Sequence, residues 1–167
     1  MREGFDCVLR VGELADSGLV ARPVGELRQI NCASPAYLAQ HGTPKTLDDL
    51  AAHRLIHYVP TLGAKPRGWE YMHEGRLRNL AMPGALVVNS TEAFQAACVA
   101  GLGLVQAPAA GLASWVARGQ LVEVMPQHRA PSLPVSLLYA NRRNLPQRVQ
   151  VFMSWLVQTL APYLDAR

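Results

Sequence analysis

No apolar run in this 167-residue chain approaches the roughly 18–20 residues needed to cross a bilayer, so nothing in it reads as a membrane span. The opening residues Met1-Arg2-Glu3-Gly4-Phe5-Asp6 lack an apolar signal core, so export is not expected and a cytoplasmic location is. Cysteine is scarce. Cys7, Cys32 and Cys98 are odd in number, far apart and set among apolar neighbours, which points to reduced core thiols rather than a disulfide frame or a zinc site. The histidines at 41, 53, 57, 73 and 128 show no metal-ligand spacing. His53 and His57 are four apart, but the break between a predicted helix and a strand falls between them. Serines 17, 114, 132 and 154 sit in no nucleophile elbow, and no acid/base pair stands out. Gly101-Leu102-Gly103 lacks the third glycine of a dinucleotide fingerprint and follows a helix, so it reads as a helix stop and tight turn. Catalytic residues, a metal and a cofactor are therefore not expected.

Excess charge is also in short supply. The net charge is only +4, with arginines scattered apart from small clusters at Arg76/Arg78 and Arg142-Arg143. A basic helix, an aromatic-interleaved stripe, a helix-turn-helix, a zinc finger and an RNA-binding signature are all lacking, so direct contact with nucleic acid is not expected of these residues.

What is present is ample apolar material, 50% of the residues, enough for one large domain or two small ones. The alternating Phe5–Val11 predicts a strand, followed by a polar loop over 13–18. Leu27–Ala33 predicts a second strand, stopped by Ser34-Pro35, with Ser34 capping a short helix that runs to the stop at Gly42. Thr46-Leu47-Asp48-Asp49 has the spacing of a capping box and opens a helix over 47–52. A short strand over 55–58 follows, then a hairpin whose arms 69–73 and 76–80 meet at Glu74-Gly75. Beyond residue 108 the pattern predicts a helix over 109–118, strands over 121–124 and 135–140, and a last helix from Pro146 with Val149, Phe152, Leu156 and Leu160 on its core face. Strands alternating with helices imply an α/β fold with a largely parallel sheet.

The most informative stretch is 86–108. It reads as a buried strand, the polar triplet Asn89-Ser90-Thr91, a short helix stopped at Gly101, and a second buried strand. Phe94, Ala97, Cys98 and Gly101 recur at helical spacing and give that helix a buried stripe. Free N–H groups and the positive end of the helix dipole converge at the triplet, which favours a carboxylate or phosphate. The plain alternative is a capping box, with Asn89 as N-cap and Glu92 three residues on.

Three blocks in order carry a family resemblance: Asp6-Cys7-Val8-Leu9-Arg10-Val11-Gly12 with Leu19-Val20-Ala21-Arg22; Cys32-Ala33-Ser34-Pro35-Ala36-Tyr37-Leu38 with His41-Gly42, Leu50 and His53; and Asn89-Ser90-Thr91-Glu92-Ala93 leading to Gly101-Leu102-Gly103-Leu104 and Pro108. Together they resemble the effector-binding region of LysR-type transcriptional regulators over nearly the whole chain. The resemblance implies a periplasmic-binding-protein-like type II fold, with two Rossmann-like subdomains joined by crossover strands at 27–33 and 134–140. Subdomain I would be partial, built from residues 1–33 and 134–167, and subdomain II would span 34–133. The winged helix-turn-helix and two βα units of subdomain I have no counterpart, so the chain looks like an N-terminally truncated piece.

The same resemblance implies inducer sensing. A small, anionic metabolite would bind between subdomains and bias their arrangement in an intact regulator, which would contact DNA through its N-terminal domain and form homo-oligomers, weakened here. It places Asn89, Ser90 and Thr91 at the ligand, and Ala33, Ser34 and Pro35 at the hinge and cleft floor, where Ser34 is equally a simple helix cap. Gly12 and Glu13 end the first strand at its carboxyl edge, where open α/β sheets bind ligands, although Glu13 also reads as a solvated loop charge. Thr61 and Gln106 are weaker candidates. A solute-binding protein of a transport system is the alternative, disfavoured by the missing signal segment and three unpaired cysteines.

Overall fold

A computed structural model of the protein describes residues 5–14, 18–140 and 145–165. In chain order the elements are β1 (Cys7–Val11), β2 (Val20–Leu27), β3 (Gln29–Ala33), α1 (Pro35–His41), β4 (Leu55–Tyr58), β5 (Trp69–His73), β6 (Arg76–Leu80), β7 (Gly84–Val88), α2 (Thr91–Val99), β8 (Val105–Pro108), α3 (Ala109–Ala117), β9 (Val122–Glu123), β10 (Leu133–Tyr139) and α4 (Gln147–Leu160), with short 3-10 turns between some of them. None of the described helices is long and apolar enough to cross a membrane. The chain divides into two compact units: one contains the residues up to Arg28 and those from Ser132 onward, and the other is Gln29–Pro131.

The first unit is a three-stranded antiparallel sheet in the order β1-β10-β2, covered by α4. The sequence reading has no strand at β2. Its Val-Ala-Arg-Pro-Val-Gly-Glu-Leu run is half exposed and lacks clean alternation. Proline is tolerated at position 23 because among the described residues β2 pairs along its length only with β10, its other side being bridged at Glu26 alone, to Asp165. The core face of α4 also differs from expectation. Val149 and Met153 are buried against Leu137, with Leu156 and Val157 beside them, whereas Phe152 is 47% exposed. Stripes from 149 through 152 and through 153 both fit a helix, so the sequence offers two apolar faces and the sheet selects one. The other face, with Val151, Phe152 and Trp155, lines an open surface cavity of about 640 Å³.

In the second unit, β8, β3 and β9 form an antiparallel sheet and β4 pairs with β7 in parallel. Two backbone bonds, Ile56 N–H to Leu104 O at 2.9 Å and Leu104 N–H to Arg54 O at 2.8 Å, join β4 to the start of β8. The strand order is therefore β7-β4-β8-β3-β9. β3 is buried throughout and alternates between two cores. Ile30 and Cys32 meet α2 and α3 residues such as Phe94, Ala97, Cys98 and Leu112, while Ala33 faces Tyr37, Leu50, Leu55, Trp69 and Leu104. Because β3 pairs with β8 and β9, the unit boundary falls at Arg28/Gln29, before that strand rather than after it.

The hairpin β5–β6 turns through Glu74 and Gly75, both at positive φ, as its two-residue loop requires. The Thr46/Asp49 box is real: the Asp49 carboxylate accepts the Lys45 and Thr46 N–H groups at 2.9 and 2.8 Å. The turn it opens is a 3-10 helix over Asp48–Ala52 rather than an α-helix.

Candidate functional site

Three parallel strands of the second unit, β7, β4 and β8, end on one edge of the sheet, at Val88, Tyr58 and Pro108. β3 runs the other way, so its first residue, Gln29, lies opposite Pro108 on that edge. Open α/β sheets hold ligands at their carboxyl edge. Asn89, Ser90 and Thr91 stand there, directly after β7 and at the start of α2.

The local geometry follows from residue type. Gly-Ala-Leu-Val-Val extends as β7, the chain bends at Asn89, and Ser90, still extended at φ −113° and ψ 132°, caps α2. Its Oγ accepts the Ala93 N–H at 3.3 Å. The cap is thus Ser90, not Asn89, and the expected capping box does not form, because Glu92 is only two residues beyond the cap and the third is Ala93. The Ser90 hydroxyl in turn donates to Glu92 Oε2 at 2.7 Å. That bond, with one from the Glu92 backbone N–H, holds the Glu92 carboxyl below its usual range. A carboxylate of the chain itself therefore occupies the positive end of α2. Exposed Asn89 and Thr91 put an amide and a hydroxyl at the same place, and among the described residues neither side chain has a hydrogen-bond partner.

The other expected residues are placed elsewhere. Ala33 ends β3, and Ser34 and Pro35 follow it, on the opposite edge of the sheet. Ser34 is buried, and its Oγ accepts the Tyr37 N–H at 3.2 Å as the cap of α1. It lies beside Gly101, where an added Cβ would be 3.4 Å from Ser34 Oγ. Gly101 terminates α2, and a nine-residue helix is about 14 Å long, so the structure sets Ser34 and Ser90 at opposite ends of α2 rather than together. Gly12 and Glu13 belong to the first unit. Gly12, at φ +95°, donates its N–H to Pro134 O at 2.9 Å where β1 ends, and Glu13 is exposed. Thr61 follows β4, and its carbonyl accepts the Ala64 N–H.

Gln106 has a structural task that the sequence did not signal. Its Nε2 donates to Asn31 Oδ1 at 3.0 Å and to Glu70 O at 2.8 Å, and its Oε1 accepts the Glu70 N–H at 2.7 Å. Asn31, fully buried, gives its two amide hydrogens to Met125 O and His128 O, each at 3.0 Å. One amide thus clamps the β5 hairpin to the sheet and the other clamps the turn after β9.

The titratable groups offer no reactive centre. Burial pushes the Cys98 thiol up to about 12, and burial together with the Glu123 charge does the same for Cys32, so both remain protonated, poor nucleophiles and poor metal ligands. Among the described residues no cluster of His, Cys, Asp and Glu could hold a metal ion. His53 and His57 are buried, and desolvation lowers both from their ordinary value of 6.5; His53 Nδ1 lies 3.2 Å from the Tyr37 hydroxyl. The unfolded chain therefore takes up these protons more readily than the native one. Their contribution to stability is intact above about pH 6.5 and is lost as the pH falls through the lowered native values. The urea midpoint is expected to be flat from about pH 8 to 7 and to drop between about pH 6.5 and 5, before the carboxylates titrate. A midpoint that rises on this acidification would contradict the buried, neutral state of both rings.

The model of the LysR substrate binding domain family matches residues 1–161. An uncharacterised HTH-type transcriptional regulator of Escherichia coli, YhjC, is 42% identical over 99% of the chain and 55% of its own length. An uncharacterised HTH-type regulator of Haemophilus influenzae is 32% identical over 89% of the chain and 51% of its own length. The chain thus spans about half the length of these relatives. Among solved structures, the regulatory domain of CrgA, a LysR-type transcriptional regulator from Neisseria meningitidis, is 29% identical with a TM-score of 0.78, over 95% of this chain and 77% of that one.

Proposed function

Because the chain belongs to the LysR substrate-binding domain family, and is on that ground a ligand-sensing regulatory domain of periplasmic-binding-protein-like type II fold, we propose that its effector is a small anion held at Asn89, Ser90 and Thr91. The observation that carries this reading is the α2 N-terminus at the carboxyl edge of the sheet, where the chain's own Glu92 carboxylate already sits. An effector carboxylate would take that place and gain the Asn89 amide and Thr91 hydroxyl, two polar groups with no other bond. Gly12 and Glu13 on the first unit remain secondary candidates. Ala33, Ser34 and Pro35 are accounted for by the cap of α1.

In the intact, cytoplasmic regulator the effector would act by preferring one arrangement of the two units, with DNA contacted by another part of the polypeptide. The exposed Ala93, Ala96 and Ala100 side of α2, together with Leu86 and Val87 on the free edge of β7, is our choice for the self-association surface. The residues up to Arg28 and those from Ser132 onward would then belong to subdomain I.

A thermal-shift screen of aromatic and aliphatic carboxylates tests the site. A stabilising hit is expected to bind about tenfold more weakly to Ser90→Ala and Asn89→Ala, the scale of one lost hydrogen bond to a charge. Ser90→Ala also loses about 1 kcal/mol of capping, so the quantity compared is the ligand-induced shift and not the starting Tm. Glu92→Gln removes the internal competitor and is expected to tighten binding. Equal shifts in the parent and all three variants would remove the site from α2.

A further inference from the structure

We propose that the outer edge of β6 is a docking edge for an extended acidic segment of another protein, which adds to the hairpin as a third strand. Among the described residues β6 pairs with β5 and with no other strand. The Glu70 N–H and C=O point away from β6, since both are bonded to Gln106. Glu70–Asn79 is therefore a pair without mutual hydrogen bonds, and the antiparallel alternation gives Met72–Leu77 the same character. It follows that the N–H and C=O groups of Leu77 and Asn79 face outward, and no hydrogen bond of the described structure uses them. A strand laid along this edge meets four open backbone groups in register.

The side chains specify what that strand should carry. Arg76 and Arg78 lie on the hairpin face shared with His73 and Tyr71, both are exposed, and neither makes an ion pair or hydrogen bond among the described residues. On the other face Leu77 and its partner Met72 are 45% and 43% exposed. The complement is a segment that alternates acidic residues, beside the two arginines, with apolar ones, beside Leu77. A second copy of this chain is a poor occupant, because pairing β6 with itself brings two pairs of arginines to one face. Charges on edge strands commonly serve only to repel other strands. Here they flank an exposed aliphatic pair, and they repel only cationic partners.

The probe is a labelled acetyl-(Glu-Val)3-Glu peptide added to the whole chain at low salt, followed by anisotropy and by hydrogen exchange. Saturable binding is expected, with exchange at the Leu77 and Asn79 amides slowed about tenfold or more. The Arg76→Glu/Arg78→Glu variant and a peptide with lysine in place of glutamate should each weaken binding about tenfold or more. Asn79→Pro removes an edge donor without touching the charges, and should abolish both the protection and most of the affinity. Failure to bind, binding that Asn79→Pro leaves unchanged, or protection of these amides in a self-associated chain without peptide would each overturn the proposal. None of these outcomes bears on the effector site at α2, which lies on different residues.

Discussion

Asn31→Ala is expected to destabilise the second unit by on the order of 3 kcal/mol, read as a fall in the urea midpoint at unchanged slope. The side chain is fully buried in the middle of β3 and satisfies three groups at once: the carbonyls of Met125 and His128 and an N–H of Gln106. Alanine leaves the His128 carbonyl without its donor and Gln106 short of an acceptor. The Met125 carbonyl loses one of two donors and keeps the His128 N–H at 2.9 Å. An orphaned buried group costs about 1–3 kcal/mol. Gln106 retains its two bonds to Glu70, which keeps the total below the sum of three full penalties. Asn31→Asp is the sharper test. It keeps the shape and the acceptor but sets a carboxylate against two carbonyl oxygens, so its cost should equal or exceed that of alanine near neutrality and shrink in acid, where a protonated carboxyl regains one donor. Changes within about 0.5 kcal/mol for both variants would mean that the network is not tied to the fold as its distances imply.

That network shows where sequence reading stops. Leu27–Ala33 is legible as a strand because apolar Ile30, Cys32 and Ala33 stand on either side of one short polar residue, Asn31. Nothing local says that Asn31 will find residues 106, 125 and 128, since those bonds close only after β8 and β9 pack on either side of β3. The elements with local signatures were legible: Ser34-Pro35 opening α1, the Glu74-Gly75 hairpin, Gly101 stopping α2, and Pro146 before α4. β2 was not, because a half-exposed strand at the end of its sheet, bridged on its outer side at Glu26 alone, needs little apolar alternation and tolerates Pro23. The choice of Phe152 over Met153 failed for a related reason. Both fit the helical period, and which one is buried depends on where Leu137 stands in the sheet.

The candidate site was legible to the same degree. A polar triplet between an apolar strand and an alanine-rich helix locates a helix N-terminus, and the carboxyl edge follows from strand direction alone. Which residue caps it did not follow, because Asn89 and Ser90 are both good caps and only the start of helical backbone at Thr91 selects Ser90. The resemblance sets Ser34 at the cleft floor beside Asn89–Thr91, while its place between a strand and a helix reads equally as a simple cap. β3 runs antiparallel to β8, so a helix that follows β3 starts at the opposite edge. A strand's direction depends on its pairing, and pairing is a long-range property.

Gly103→Ala is expected to cost about 2–3 kcal/mol, more than the same change at Gly101, although the two glycines share one turn. Gly101 ends α2 at φ +83°, with its N–H on Cys98 O and the Leu102 N–H on Ala97 O, both at 3.0 Å, the reciprocal pair of a left-handed helix stop. An added methyl group there meets nothing nearer than Ser34 Oγ at 3.4 Å, so the penalty is the left-handed strain of an L-residue, about 1–2 kcal/mol. Gly103 is different: its Cβ would lie 2.6 Å from the Arg54 carbonyl oxygen. That same oxygen accepts the Leu104 N–H and so joins β4 to β8. Relief requires the two strands to separate, which breaks the bond and loosens Ile56 and Leu104 from their cores. Asparagine separates the causes. It adopts the left-handed region readily, so Gly101→Asn should recover much of the loss, whereas Gly103→Asn should recover none. Urea midpoints are expected in the order parent, Gly101→Asn, Gly101→Ala, Gly103→Ala, with faster exchange at the Ile56 and Leu104 amides in the last variant only. A Gly103→Ala protein as stable as the parent would show that β4 and β8 are not held at this spacing, and the strand order on which the carboxyl-edge site depends would fall with it.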